Sequence, residues 1–286
     1  MSMDFSKPIF ALLTDIHLNF LALSERRKFY KEINACSATH VLITGDIAEA
    51  TSLEMILTEI NEYINKKIFF VLGNHDYYDG EIAEVKNLIC KISTLNVNYT
   101  TVGLPDAIWL FGSDSWADGR YGDYINSDVI MNDSQLIYDL HISYKIGKRE
   151  LLNKMQELAD RDANQLKEKL WNNIQNTHSE RDHDLFIVLT HIPPFPEVCK
   201  YNGRYTKKEW LPFFSCKATG DVLLEFAKEN PGINILVLCG HTHSAAQYQA
   251  LPNLLVKCGG SEYYKPKIQK IFNKNNLRFD KKNEHK

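Results

Sequence analysis

The sequence predicts an α/β fold with parallel strands, and three observations carry that prediction. Short apolar runs alternate with segments of helical period through the first hundred residues. Each run is about as long as one buried strand, and each ends abruptly in Asp, Asn or His beside Gly. Strand–helix–strand order of this kind implies right-handed crossovers, which place the carboxyl ends of the strands along one edge. With 286 residues at 44% hydrophobic composition, the chain can bury the core of one large domain over residues 1–286.

Taken in order, residues 9–13 form the first run, which stops at Thr14-Asp15. Residues 41–43 form the second, which stops at Gly45-Asp46, and residues 68–72 the third, which stops at Gly73-Asn74-His75-Asp76. Between the second and third, Leu53, Ile56, Leu57, Ile60, Tyr63 and Ile64 recur at helical spacing, and Thr51 with Glu54 predicts a capping box at the helix start. A further helix follows through Ile82, Val85, Ile89 and Ile92. After a strand-like run at 108–112 comes an Asp-, Gly- and aromatic-rich loop over 113–128, then a long charged helix over 148–174. Residues 113–184 are therefore expected to form a cap or insertion on the domain. Strands return at 185–189, 233–238 and 254–258, with a helix over 221–228 and a charged tail after Asn273.

The bulk properties exclude several classes. A net charge of −3 gives no broad electrostatic footprint for nucleic acid. The six cysteines are scattered without a CxxC pair, so they read as reduced thiols of a cytoplasmic protein. The first ten residues carry no signal-peptide pattern, and no apolar stretch approaches the roughly 20 residues that a membrane span needs.

The chemistry lies at the strand ends. In order they read Asp15-Ile16-His17, Gly45-Asp46, Gly73-Asn74-His75-Asp76, Thr190-His191 and Gly240-His241-Thr242-His243. Carboxylate, amide and imidazole groups of this kind suit divalent metals, and no thiolate is present to demand zinc. In extended backbone the two side chains of Asp15-x-His17 share one side, as do those of His241-x-His243, so each pair can grip one metal. Helix capping would account for Asp15 and Asp46 but not for the paired histidines. Five of the ten histidines fall in this set; His40, His141, His178, His183 and His285 have no such context. The polar-aromatic loop from Trp116 to Asp123 either packs the cap or reaches substrate, and in the second case Arg120 is the candidate phosphate contact, since a guanidinium can fork onto phosphate oxygens.

This ordered set, DxH…GD…GNHD…H…GHTH, resembles the calcineurin-like metallophosphoesterase family, with all five blocks in family order between Asp15 and His243. The resemblance implies a four-layer αββα sandwich of two mixed sheets flanked by helices, here with a helical cap insertion. It puts Asp15, His17 and His243 on one metal, Asn74, His191 and His241 on another, and the Asp46 carboxylate between them. It gives His75 the leaving-group oxygen and leaves Asp76 to support its loop. The implied cofactors are two divalent ions, Mn, Fe or Zn, whose charge outweighs two carboxylates and attracts an anionic ester. The implied reaction is hydrolysis of a small or medium phosphate ester by a hydroxide activated at the dinuclear centre. Two positions depart from the protein phosphatases of the family. Glu49 occupies the place of their histidine-supporting Asp and is expected to serve His75, while Ala50 replaces their phosphate-binding Arg. That favours a phosphodiester of nucleotide type over a phosphomonoester. A nuclease and a non-catalytic binding module are the alternatives.

Overall fold

The computed structural model describes residues 7–92, 96–175 and 184–279. The chain begins β1 (Phe10–Leu13), α1 (Leu23–Ala35), β2 (His40–Thr44), α2 (Ala50–Tyr63), β3 (Lys67–Val71) and α3 (Ile82–Ile92). It continues through β4 (Val102–Leu104), β5 (Ile108–Ser113), α4 (Asp133–Leu136), α5 (Tyr138–Ile146) and α6 (Lys148–Gln175) to β6 (Leu185–Thr190). A hairpin of β7 (Lys200–Tyr201) and β8 (Arg204–Tyr205) precedes α7 (Leu211–Phe214) and α8 (Lys217–Glu229). The chain then closes with β9 (Asn234–Cys239), β10 (Ala246–Leu251), β11 (Leu254–Cys258) and β12 (Lys270–Phe272).

One sheet has the order β12-β1-β2-β3, with β1, β2 and β3 parallel and β12 antiparallel to β1. The other has the order β10-β11-β9-β6-β5-β4, parallel at its centre and antiparallel at both edges. Alternation along the strands sorts side chains onto two faces. Leu42, Phe69 and Val71 of the first sheet meet Leu110, Ile187, Leu189 and Leu236 of the second in one core cluster. Val41, Ile43, Ile68 and Phe70 face the other way, onto Phe29 and Tyr30 of α1, Ile56 of α2 and Val85 of α3. The far side of the second sheet buries Phe186, Val188, Ile235 and Val237 under Leu166 and Leu170 of α6 and Leu223 and Phe226 of α8. These are the four layers, helix–sheet–sheet–helix, with two mixed sheets.

Two local expectations change. The helix after β2 begins at Ala50 with Glu49 at its N-cap position and no side-chain cap, so the Thr51–Glu54 capping box does not form. The span 113–184 divides: the C-terminal half of α6 is part of the outer layer on the second sheet, while α4, α5 and the loop before them pack with the helices of the first. Its residues 176–183 lie outside the described residues, as do 1–6 and the end of the charged tail at 280–286. No helix among the described residues is long and apolar enough to cross a membrane.

Candidate metal centre

The parallel strands β1, β2, β3, β6 and β9 end at residues 13, 44, 71, 190 and 239, directly before the polar blocks. The backbone there is not extended. Asp15 (φ 48°), His17 (φ 41°), Asp46 (φ 53°), His241 (φ 68°) and His243 (φ 53°) all sit in the left-handed region. The expectation that alternate side chains share a side in extended chain therefore fails. Sharp turns aim them instead, at residue types that tolerate this region better than most. The turns lock together, with Asp15 N donating to Gly45 O (3.1 Å), His17 N to Asp46 O (3.0 Å) and Leu18 N to Ile47 O (2.8 Å). Gly240 has no alternative residue, because a Cβ there would collide with Thr14 Oγ1 and the Asp15 carboxylate.

Two groups of donor atoms result. In the first, one atom each from Asp15, His17, Asp46 and His243 lie within 4.8 Å of one another. In the second, Asn74 Oδ1 is 2.9 Å from His191 Nε2 and 3.0 Å from His241 Nδ1. The Asp46 carboxylate reaches both: Oδ1 is 3.3 Å from His191 Nε2, and Oδ2 is 3.7 Å from His17 Nε2. Thus His241 and His243 fall in different groups of donor atoms rather than side by side in one.

The protein sets the tautomers of the second group. His191 Nδ1 is 2.8 Å from the Thr44 carbonyl, and His241 Nε2 is 3.0 Å from the Phe213 carbonyl. Each of these ring nitrogens is held as a donor, which frees the other as a lone pair toward a metal. Asn74 Nδ2 donates to Asp133 Oδ1 (2.8 Å), which also accepts from Tyr78 OH (2.7 Å), so the Asn74 oxygen points inward. Asp133 was not found by sequence reasoning; it lies far from every motif block and carries no local pattern.

Electrostatics fit a cation site. Burial opposes ionisation of Asp46, yet His191, His75 and His17 hold its carboxyl well below the usual range. Burial also opposes charge on His191, but Asp46 raises it to about 10, so that without metal a proton sits among these groups. Burial and neighbouring His191 drive His241 down to about 4, and burial drives His17 to about 4. Both ring nitrogens of His17 are buried with no hydrogen-bond partner among the described residues. An orphaned nitrogen of this kind costs free energy unless a ligand satisfies it, and a divalent ion would satisfy Nε2, the nitrogen that faces Asp46. The residues present therefore fit the dinuclear centre.

His75 Nε2 lies 4.0 Å from Asp46 Oδ2, while its ring packs 4.1 Å from that of Tyr78. It departs from Asn74 because the chain enters a 3-10 turn there (Asn74 φ −65°, ψ −36°), not because extended residues alternate. The expected support from Glu49 does not form. Glu49 stands at the head of α2, and His75 Nδ1 has no hydrogen-bond partner among the described residues. Asp76 braces the loop as expected: its oxygens accept from Ile47 N, Ala48 N and Gly73 N, each at 2.8 Å. Burial, with Asp46 nearby, pushes the Asp76 carboxyl up to about 8. Arg120 is committed elsewhere. Its guanidinium pairs with Asp118 (3.0 Å) and Asp160 (2.7 Å), tying its loop to α6. Trp116 of the same loop is buried against Tyr77.

The family model for calcineurin-like phosphoesterases matches residues 9–245. An uncharacterized protein of Acanthamoeba polyphaga mimivirus is 24% identical over 216 residues, which cover 69% of this chain and 72% of the relative. A dimetal phosphatase from Danio rerio superposes with a TM-score of 0.55 at 12% identity, covering 88% of each chain. Phosphopantetheinyl Hydrolase (PptH) from Mycobacterium tuberculosis gives 0.54 at 12% identity, covering 90% of this chain and 91% of its own.

Proposed function

This chain belongs to the calcineurin-like phosphoesterase family, a hydrolase acting on phosphate esters, and from that premise we propose that it cleaves a phosphodiester of nucleotide type at a dinuclear metal centre. Asp15, His17 and His243 would hold one divalent ion and Asn74, His191 and His241 the other, with Asp46 shared between the two groups. The observation that carries this is the placement of the two Asp46 oxygens, one toward each donor group. When bound, the ions supply Lewis-acid charge that activates water and neutralises phosphoryl oxygens. Mn, Fe and Zn all suit such a donor set.

The remaining work falls to the chain itself. His75 Nε2 delivers a proton to the departing oxygen, a contribution of roughly 10²–10⁴-fold for a positioned general acid. Asp133 holds the Asn74 amide so that its oxygen, not its nitrogen, faces inward. Ala50 stands where the protein phosphatases carry Arg, and Arg120 is already paired with two carboxylates. A diester, with one negative charge, needs less cationic contact than a monoester dianion, which supports the diester reading. All six cysteines are free, in keeping with a reducing, cytoplasmic setting.

Reconstitution with Mn(II), followed by hydrolysis of bis-p-nitrophenyl phosphate, p-nitrophenyl phosphate, cyclic nucleotides and short DNA, tests the proposal. Diester cleavage above monoester cleavage is expected. Faster turnover of the monoester would reverse the substrate class, and no turnover of any ester would remove the catalytic reading.

A further inference from the structure

After β11 the chain does not leave the metal centre. Ser261 N donates to His243 O (3.1 Å) and Ser261 Oγ to Asp15 O (2.6 Å), so this segment is stapled to the backbone of two proposed ligands. At its far side Gln269 accepts from Gly260 N (3.1 Å) and donates its backbone N–H to Leu12 O (2.8 Å). The loop between is thus fixed at both ends. Within it, Lys265 N bonds to Glu262 O (3.1 Å), which makes a tight turn, and Tyr264 sits at its corner with φ 65°. A bulky aromatic residue in the left-handed region is an outlier, and such strain persists where surrounding contacts over-determine it.

That turn delivers the ring of Tyr263 to the imidazoles of the site. Its centroid lies 4.6 Å from that of His17, 4.9 Å from His243 and 6.3 Å from His75. Phe20 stands beside it at 5.8 Å with the rings at 65°, and Phe20 also meets Tyr264 at 5.7 Å. Yet Tyr263 remains 41% exposed, so part of its surface is open beside the site rather than buried under it. Its aromatic face stands beside His75, the residue proposed to meet the leaving group.

We propose that Tyr263, with Phe20 behind it, forms an aromatic wall that selects esters carrying a planar aromatic group, a nucleobase or an aryl ring, by stacking on that group. This rests on the phosphoesterase reading above only for the location of the phosphate. An alkyl or sugar phosphate of equal charge would meet the same metals but gain nothing from the wall.

The test separates the two readings by measuring binding, not turnover. Phosphonate analogues of adenosine 5′-monophosphate and of ribose 5-phosphate resist hydrolysis and differ by the base. Calorimetry with Mn(II)-loaded protein should find the adenosine analogue about tenfold tighter, the size of one stacking contact. Tyr263→Leu should erase the difference while keeping manganese content and ribose-analogue affinity, and Tyr263→Phe should keep it. Equal affinities in the wild-type protein, or an equal fall for both ligands in Tyr263→Leu, would overturn the inference. A protein that prefers the adenosine analogue but cleaves no ester would preserve the wall and defeat the catalytic proposal instead.

Discussion

Around Asn74 the donor atoms already touch one another, whereas around His17 they stand apart. The Asn74 oxygen is within 3.0 Å of two imidazoles, and both of those rings are pinned from behind by backbone carbonyls. Among the described residues His17 has no hydrogen bond at either nitrogen; it lies 3.7 Å from Asp46 and shares its group with a His243 side chain that is 24% exposed. In the Asn74 half every donor meets a neighbour, whereas in the other half Asp15 and His243 meet at 3.3 Å and His17 alone stands off. Preorganisation lowers the free-energy cost of binding, so the Asn74 half should fill first and empty last.

Asp46→Ala breaks the comparison outright, since both halves use that carboxylate. Elemental analysis should find neither ion, and kcat/KM should fall on the order of 10³-fold or more, comparable to removing a principal electrostatic element of a transition state. Full metal content in this variant would dissolve the bridged arrangement. His75→Ala should retain both ions and lose roughly 10²–10⁴-fold in turnover, with the deficit shrinking for esters of acidic leaving groups. Loss of metal from this variant would make His75 a ligand.

The asymmetry itself is tested by dialysis against a weak chelator. His17→Ala should keep one ion per chain, and the wild-type protein should pass through a one-ion state as chelator is raised. Simultaneous loss of both ions would show that the halves are equivalent. Asp133→Ala should weaken the Asn74 half alone, by about 10–100-fold in metal affinity, the usual effect of removing an outer partner of a ligand. An unchanged affinity would reduce Asp133 to a surface carboxylate. The smallest effect belongs to His17→Gly. Without metal, this change relieves a left-handed imidazole and two unsatisfied nitrogens, so calorimetry of metal-free protein should show a gain on the order of 1 kcal/mol.

The layers and the clustering of the polar blocks were legible because each rests on local pattern. Buried strands such as 41–43 and 68–72 announce themselves by apolar runs, and the residues that end them are contiguous in sequence. Elements with mixed faces were not legible. Helix α1 buries Phe29, Tyr30 and Ile33 but is otherwise charged, and β12 is three residues held by pairing with β1. Helix α6 was legible as a helix but not as a layer, because its partners Phe111, Phe186 and Phe226 are remote in the chain. The same distance hid Asp133 and Tyr263, whose roles exist only after folding brings them to Asn74 and His17. Arg120 shows the converse error, since composition cannot reveal that Asp118 and Asp160 occupy its guanidinium first.

The left-handed backbone at Asp15, His17, Asp46, His241 and His243 has a consequence for anyone who tries to harden this protein against heat. Left-handed conformation at a non-glycine residue costs roughly 1–2 kcal/mol, and glycine escapes that cost. A mutant library screened for thermal tolerance in the presence of chelator would therefore be drawn toward glycine at these five positions. Each gain would remove a proposed metal ligand. Screening with metal supplied reverses the pressure, because ions that bind only the native state then add their own binding free energy to its stability. The composition of the screening buffer would decide whether selection improves this enzyme or dismantles it.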